Sequence, residues 1–415
     1  MEVKIFLSLL ASCCLAVVNA ELEGSKIFDV TPSNVFQQQI LEKLAQSGIY
    51  DFFLLPRALN ITSRVMVNPK DQLDFDRVLT KNSINFKIVN EDVSKSINLE
   101  RSQQNIMSRA INRGISFRSF ERFEKINAYL EELAARFPDR VKVTLIGKTY
   151  EGRLMKTITI SNGDKRANKK VIWVDGGIHA REWIAPAAAL YVINQLVENF
   201  AANKDLLATY DWVVLPVANP DGYEYTHTTS RMWRKTRKPS GNSCYGTDPN
   251  RNFGFHWGEL GASNLPCDDT FRGPTAFSEP ETQIMRNELL KLNGRAKFYL
   301  TIHAYGNYLL YPWGWTSGLP SNVADIDEVA RAGAKAIKMA TGTRYTVGSS
   351  TNVLYEASGG SDDWALGVAG IPISITMELP AGGSGFNPSP QYIDPFVSEA
   401  WIGIKAMAQR VISKY

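Results

Sequence analysis

Four stretches of the chain are almost unbroken runs of apolar, often β-branched residues: KKVIWVDGG (169–177), DWVVLPVANPDG (211–222), AKFYLTIHAYG (296–306) and IPISITMELP (371–380). A strand with one wet face alternates apolar and polar residues. A strand covered by helices on both faces reads as continuous instead. Helical patterns separate the runs, among them IAPAAALYVINQLVENF and VADIDEVARAGAKAIKMATG, and QYIDPFVSEAWIGIKAMAQRVISKY closes the chain. Residues 114–415 therefore read as one α/β domain, a size that single domains of this class reach.

The first twenty residues, MEVKIFLSLLASCCLAVVNA, have a lysine, an apolar run and a small-residue end. That is the pattern of a secretory signal peptide, and the run is short for a membrane span. Removal takes Cys13 and Cys14 with it and leaves Cys244 and Cys267 in an oxidising compartment. Two such cysteines read as one disulfide, because the paired C-x-x-C spacing of a metal site is absent. A loop of this length predicts about 3 kcal/mol of stabilisation in the chain-entropy view.

Between the leader and the α/β domain lies a smaller unit. NVFQQQILEKLAQSG reads as an amphipathic helix stopped by Gly48, and SRVMVNP as a short strand closed by Pro69. The stretch SKSINLERSQQNIMSRAINRGIS (94–116) is polar, lacks aromatic residues and carries Arg101, Arg109 and Arg113. It reads as an exposed linker open to proteolysis. FERFEKINAYLEELAARFPDR then begins a new helix that Pro138 ends.

Each buried run ends at a polar group: His179, the Asn219-Pro220-Asp221-Gly222 turn, His303 and Glu378. In open α/β sheets ligands bind beyond the carboxyl ends of the strands. The chain has only four histidines, and two of them stand at these ends. His179, Glu182 and His303 form the His₂Glu set common in catalytic zinc sites. Gly176-Gly177 permits the tight turn that brings His179 and Glu182 onto one ion. An H-x-x-E pair alone is weak, and the weight comes from the third ligand at another strand end. His227 and His256 lie in polar sequence and read as surface or structural residues.

Glu378 can be a general base toward a zinc-bound water, or a carboxylate that caps a helix or pairs with a cation. The basic run SRMWRKTRK reads as a solvated face. A net charge of +4 gives no reason to expect nucleic acid or a membrane surface as partner.

The blocks HAREW, NPDGYEYTHTTSRMWRKTR, DPNRNF, TIHAYGNYLLYPWG, YEASGGSDDW and TMEL occur in this order. By them the chain resembles the secreted zinc metallocarboxypeptidases of the pancreatic carboxypeptidase A and B family, over nearly its whole length. The resemblance implies an α/β fold with a mixed eight-stranded sheet flanked by helices, preceded by a small α/β activation domain. It divides the chain into a signal peptide (1–20), an activation propeptide with its linker (21–113) and a catalytic domain (114–415). It implies one Zn²⁺ per chain on His179, Glu182 and His303, with Glu378 as general base and acid and Arg234 stabilising the oxyanion. Asn250, Arg251 and Tyr355 would hold the substrate's terminal carboxylate, and Arg181 would line the approach of the preceding residue.

The first acidic position of GGSDDW would lie at the base of the side-chain pocket, where an apolar residue gives apolar preference. Here it is Asp362, the B-like pattern, which favours C-terminal Lys or Arg; Asp363 reads as structural. Pro380-Ala381, Ala304 and Phe253 depart from common family residues without removing a catalytic group. The expected protein is thus a monomeric, secreted zymogen that removes C-terminal residues, with the gut lumen as a fitting site. A trypsin-like protease would activate it at Arg113, with Arg109 second. The alternatives are a broad or apolar preference, or a non-catalytic binding relative, which would lack a ligand or the base. Asn60-Ile61-Thr62 is an N-glycosylation acceptor.

Overall fold

The computed structural model describes residues 22–55, 58–109, 114–241, 243–383 and 385–415. The expected signal peptide and the expected cleavage site Arg113 lie outside the described residues. The N-terminal unit is an antiparallel sheet of β1 (Lys26–Thr31), β2 (Asp51–Leu54), β3 (Ser63–Val67) and β4 (Asn85–Asn90), in the order β2-β3-β1-β4. Helices Val35–Gln46 and Gln72–Lys81 bury Leu41, Phe75 and Leu79 against Phe28, Val30, Val65 and Val67. Asn34 caps the first of them, its Oδ1 accepting the Gln37 N–H at 3.0 Å.

The stretch expected to be an exposed linker is mostly helix, Val93–Arg109. Asp92 starts it by accepting the Ser94 N–H at 3.1 Å. Val93, Ile97 and Glu100 recur at helical spacing and are buried. The helix looks like linker in sequence because much of its buried face is polar. Glu100 pairs with Arg231 at 2.7 Å, both almost fully buried, and Gln104 accepts the Phe120 N–H at 2.9 Å. These partners lie in the C-terminal α/β domain.

That domain is built on β5 (Val141–Lys148), β6 (Leu154–Ile160), β7 (Lys170–Gly176) and β8 (Tyr210–Leu215), a hairpin of β9 (Pro239–Gly241) and β10 (Cys244–Tyr245), then β11 (Ala296–Ala304), β12 (Tyr308–Tyr311), β13 (Thr346–Ser349) and β14 (Ile373–Leu379). Eight of these form one mixed sheet, in the order β13-β12-β14-β11-β7-β8-β6-β5. The four continuous apolar runs are its parallel centre, β14-β11-β7-β8. β5 and β6 add antiparallel strands at one edge, and β12 pairs antiparallel with β14 at the other.

The centre is covered twice. Ile172 and Val174 face helices Ile184–Val197, Val323–Thr341 and Ile393–Lys414. Val171 and Trp173 face helices Pro280–Lys291 and Ser361–Gly367 through Met285, Leu289 and Trp364. Burial on both faces is why these strands carry no polar alternation. Cys244 and Cys267 are disulfide-bonded, with Cα atoms 5.2 Å apart, as expected.

The basic run 230–238 is turned inward, contrary to expectation. Arg231 is fully buried against Trp183 at 3.7 Å from the ring centroid, and Lys235 donates to the Pro266 carbonyl at 2.7 Å. Arg237 stacks 3.5 Å from the Tyr225 ring centroid. Arg231 is covered by Trp183 and paired with Glu100, while Arg237 lies over Tyr225 and Trp233 of its own motif. His227 likewise lies on helix Pro220–Thr228, stacked on Trp183 at 3.9 Å, so it is a packing residue and not part of a polar loop. His256 is a loop residue stacked on Trp315.

Candidate active site

β7 ends at Gly176, and the chain turns at once toward helix Ile184–Val197. A Cβ on Gly176 would stand 2.8 Å from the Ala185 carbonyl oxygen, and Gly177 has φ +68°. Only glycine admits so close a return, and the turn sets His179 and Glu182 side by side. His179 Nδ1 lies 2.8 Å from Glu182 Oε1, and His303 Nδ1 lies 3.1 Å from both Glu182 Oε2 and His179 Nδ1. His303 comes from the end of β11. The three residues are buried, and their donor atoms all lie within 4.8 Å of one another. Two imidazole nitrogens and one carboxylate oxygen at this spacing fit zinc and leave a coordination position over.

The groups are electrostatically tied. Burial disfavours a charged His303, but Glu182 outweighs it and pushes the imidazole up to about 9. His179 Nε2 meets Asp248 Oδ1 at 3.1 Å. Asp248 also accepts from Arg234, at 3.1 Å from Nε and 2.8 Å from Nη2, and from the Asn250 N–H at 2.9 Å. Burial works against its charge, yet Arg234 and His179 hold the carboxyl well below the usual range. A carboxylate on the far nitrogen of a ligating histidine fixes ring orientation and tautomer. Asp248 opens the DPNRNF block, but nothing local in the sequence marks it; only the need for an acid on the second nitrogen of His179 points to it.

Glu378 stands on β14 in direct register with His303 on β11. It is half-buried, and its Oε2 is shut away from water with no hydrogen-bond partner among the described residues. Burial is the chief cause that raises its pKa to about 8, Glu182 adding to it while His303 and Arg234 oppose. Among the described residues no helix cap or ion pair engages this carboxyl group.

One cavity, about 990 Å³ counting its open mouth, gathers His179, Glu182, His303, Glu378, Arg234, Asn250, Arg251, Tyr355 and Asp362 in its lining. Asn250 Oδ1 accepts the Ser361 N–H at 2.9 Å, and Arg251 Nε donates to the Gly261 carbonyl at 2.8 Å. Asp362 is 7% exposed, and the Thr376 hydroxyl donates to its Oδ2 at 3.1 Å. Asp363 faces elsewhere, accepting the N–H groups of Gly314 and Trp315 at 2.9 and 3.1 Å. It pins a loop and is structural in that sense.

Arg181 stands beside the cavity and is covered. Its guanidinium meets Asp51 at 2.7 Å and Asp269 at 3.4 Å, and lies over the rings of Phe386 (4.5 Å) and Phe53 (5.0 Å). Asp51 and Phe53 belong to β2 of the N-terminal unit, and Phe53, Leu54, Leu55, Ile61 and Thr62 line the cavity from the same side. The N-terminal unit therefore occupies the approach that a substrate needs.

A metal-ligand trio beyond the strand ends, a carboxyl group with its pKa raised to about 8 beside it and the chain's own first domain across part of the approach describe a metal-dependent hydrolase whose cleft is obstructed. Comparison with known proteins narrows the class. The sequence profile described as Zinc carboxypeptidase matches residues 126–403, and that described as Carboxypeptidase activation peptide matches residues 28–100. Zinc carboxypeptidase A 1 of Drosophila melanogaster is 40% identical over 98% of this chain and 96% of its own length. Carboxypeptidase B of Astacus astacus is 44% identical over 72% of this chain and 98% of its own. The crystal structure of the carboxypeptidase A from Helicoverpa armigera superposes with a TM-score of 0.89 at 34% identity, covering 94% of this chain and 98% of that one. The chain belongs to the zinc carboxypeptidase family and carries that family's activation peptide, so it is a metallocarboxypeptidase zymogen.

Proposed function

We propose that the protein is secreted, is activated by a trypsin-like protease at Arg113, and then removes C-terminal Lys or Arg from peptides as a monomer. The observation that carries the specificity is Asp362, a carboxylate lining the cavity with no cation bonded to it among the described residues. A C-terminal guanidinium or ammonium would complete the pair, and an apolar side chain would leave the charge desolvated and alone.

His179, Glu182 and His303 would hold the zinc. When bound, the ion supplies a Lewis acid and an activated water. Glu378 takes a proton from the attacking water and returns it to the leaving amine, a task suited by a pKa near neutrality. Arg234, held by Asp248, faces the developing oxyanion with a charge already in place. Asn250, Arg251 and Tyr355 receive the terminal carboxylate, for which a guanidinium is the planar counterpart. Arg181 is freed for the residues upstream once Asp51 leaves.

A second reading, apolar preference, is favoured by Leu310 and Leu354 in the cavity wall and by relatives named both A and B. Hydrolysis of matched peptides ending in Arg and in Phe, before and after trypsin, separates the two. Faster release of Phe sinks the basic preference, and equal activity before and after trypsin sinks activation by that route.

No helix among the described residues is long and apolar enough to cross a membrane. The secretion reading rests on the first twenty residues.

A further inference from the structure

The chain's single Asn-x-Ser/Thr sequence in which x is not proline, Asn60-Ile61-Thr62, falls between β2 and β3, the strands that carry the lid over the cavity. Residues 58–62 are exposed. Asn60 has φ +61°, and its N–H is held by the Pro32 carbonyl at 2.7 Å, so it sits in a left-handed turn that asparagine tolerates. Ile61 and Thr62, the next two residues, line the rim of the cavity that holds the metal-ligand trio, Glu378 and Asp362. Leu59 and Ile61 beside the asparagine are large apolar residues left 37% and 38% exposed.

We propose that Asn60 carries an N-linked glycan that shields the remaining mouth of the cleft while the N-terminal unit is attached, and leaves with that unit on activation. The inference rests on the secretion reading above. In the transfer, Asn60 Nδ2 bonds to the anomeric carbon of the first sugar. The bond from that carbon to the pyrophosphate of a lipid-linked oligosaccharide breaks, and the amide loses one proton. A bulky hydrophilic group at this point covers Leu59 and Ile61 and stands across the opening. The N-terminal unit obstructs the approach without closing the mouth, so small substrates retain a path that a glycan would obstruct. The mature enzyme, which lacks any other such sequence, would be free of N-glycan.

The test is to express the full chain with its own leader in insect cells and purify the uncut protein from the medium. Peptide-N-glycosidase should lower its mass and convert Asn60 to aspartate in the peptide map. After trypsin the glycan should travel with the N-terminal fragment alone. Residual hydrolysis by the uncut protein, on whichever small Arg- or Phe-terminated substrate the activated enzyme cleaves, should rise several-fold on deglycosylation and in Asn60→Gln. Activity after trypsin should be unchanged. Enzymatic removal from the native protein needs no substitution, so a poorly folding variant does not affect the outcome. Secreted protein with bare Asn60 overturns this inference alone. Residual hydrolysis unchanged by deglycosylation overturns the shielding role, and protein that never reaches the secretory pathway overturns both readings.

Discussion

Asp362→Ala is the substitution that bears most directly on substrate choice. The carboxylate is 7% exposed, in contact with Thr376 and lining the same cavity as the metal ligands. Burial is the main cause that raises its pKa above the ordinary carboxylate value. A cationic guest would reverse that cost by pairing with it. Removing one partner of a buried, hydrogen-bonded charge pair costs about 3–5 kcal/mol. At about 1.4 kcal/mol per tenfold, and taking the lower end because the cavity opens to water, kcat/KM on an Arg-terminated peptide should fall about 100- to 1000-fold. The Phe-terminated partner should hold steady or improve, since the variant no longer leaves a carboxylate unpaired beside the ring. The assay is kcat/KM for matched Arg and Phe peptides on trypsin-treated protein. An equal loss on both peptides would refute the reasoning, because it would make Asp362 a structural residue of the cavity wall.

Three further outcomes are expected. Glu378→Gln should lose about 10²- to 10⁴-fold in kcat with zinc content unchanged, as measured by turnover and metal analysis; loss of zinc instead would move Glu378 into the ligand set. Asp248→Asn should weaken zinc affinity or activity about 10- to 100-fold, since it loosens both His179 and Arg234, and chelator competition would measure it. Glu281, buried beside Asp221 and Glu279, is raised from its ordinary 4.5 to about 8, burial being the main cause. A raised folded pKa means that this residue's contribution is complete below about pH 4.5 and is lost as pH rises through about 8. The difference in denaturation midpoint between wild type and Glu281→Gln should therefore shift in favour of the variant across that window. A pH-independent difference would contradict the assignment.

What could be read from the sequence follows from which interactions are local. The four central strands announce themselves because burial on both faces leaves no polar alternation, and two of the three ligands are flagged by their place, His303 at the end of β11 and His179 three residues past β7. β5 and β6 were less visible, since Val141–Lys148 buries only Val141 fully and mixes exposed and half-buried residues. The helix Val93–Arg109 reads as linker in sequence because its buried face includes Glu100, whose partner Arg231 is 131 residues away. Asp248 on His179 and Asp51 on Arg181 are likewise pairings across 69 and 130 residues, which no local pattern encodes. The inward turn of the basic run 230–238 is hidden in part for the same reason: Arg231 and Lys235 find Trp183, Glu100 and the Pro266 carbonyl far along the chain, while Arg237 is covered locally by Tyr225 and Trp233.

The central claim is that a zinc ion held by His179, Glu182 and His303 serves an exopeptidase that its own N-terminal domain blocks. The most direct measurement follows C-terminal residue release by mass spectrometry on the purified full chain before trypsin, after trypsin, and after trypsin with a chelator, alongside metal analysis. The account predicts one zinc per chain, little release before cleavage, stepwise loss of single C-terminal residues after it, and loss of that activity on chelation with recovery on added zinc. Release that persists without metal, or cleavage within the peptide instead of at its end, would contradict it.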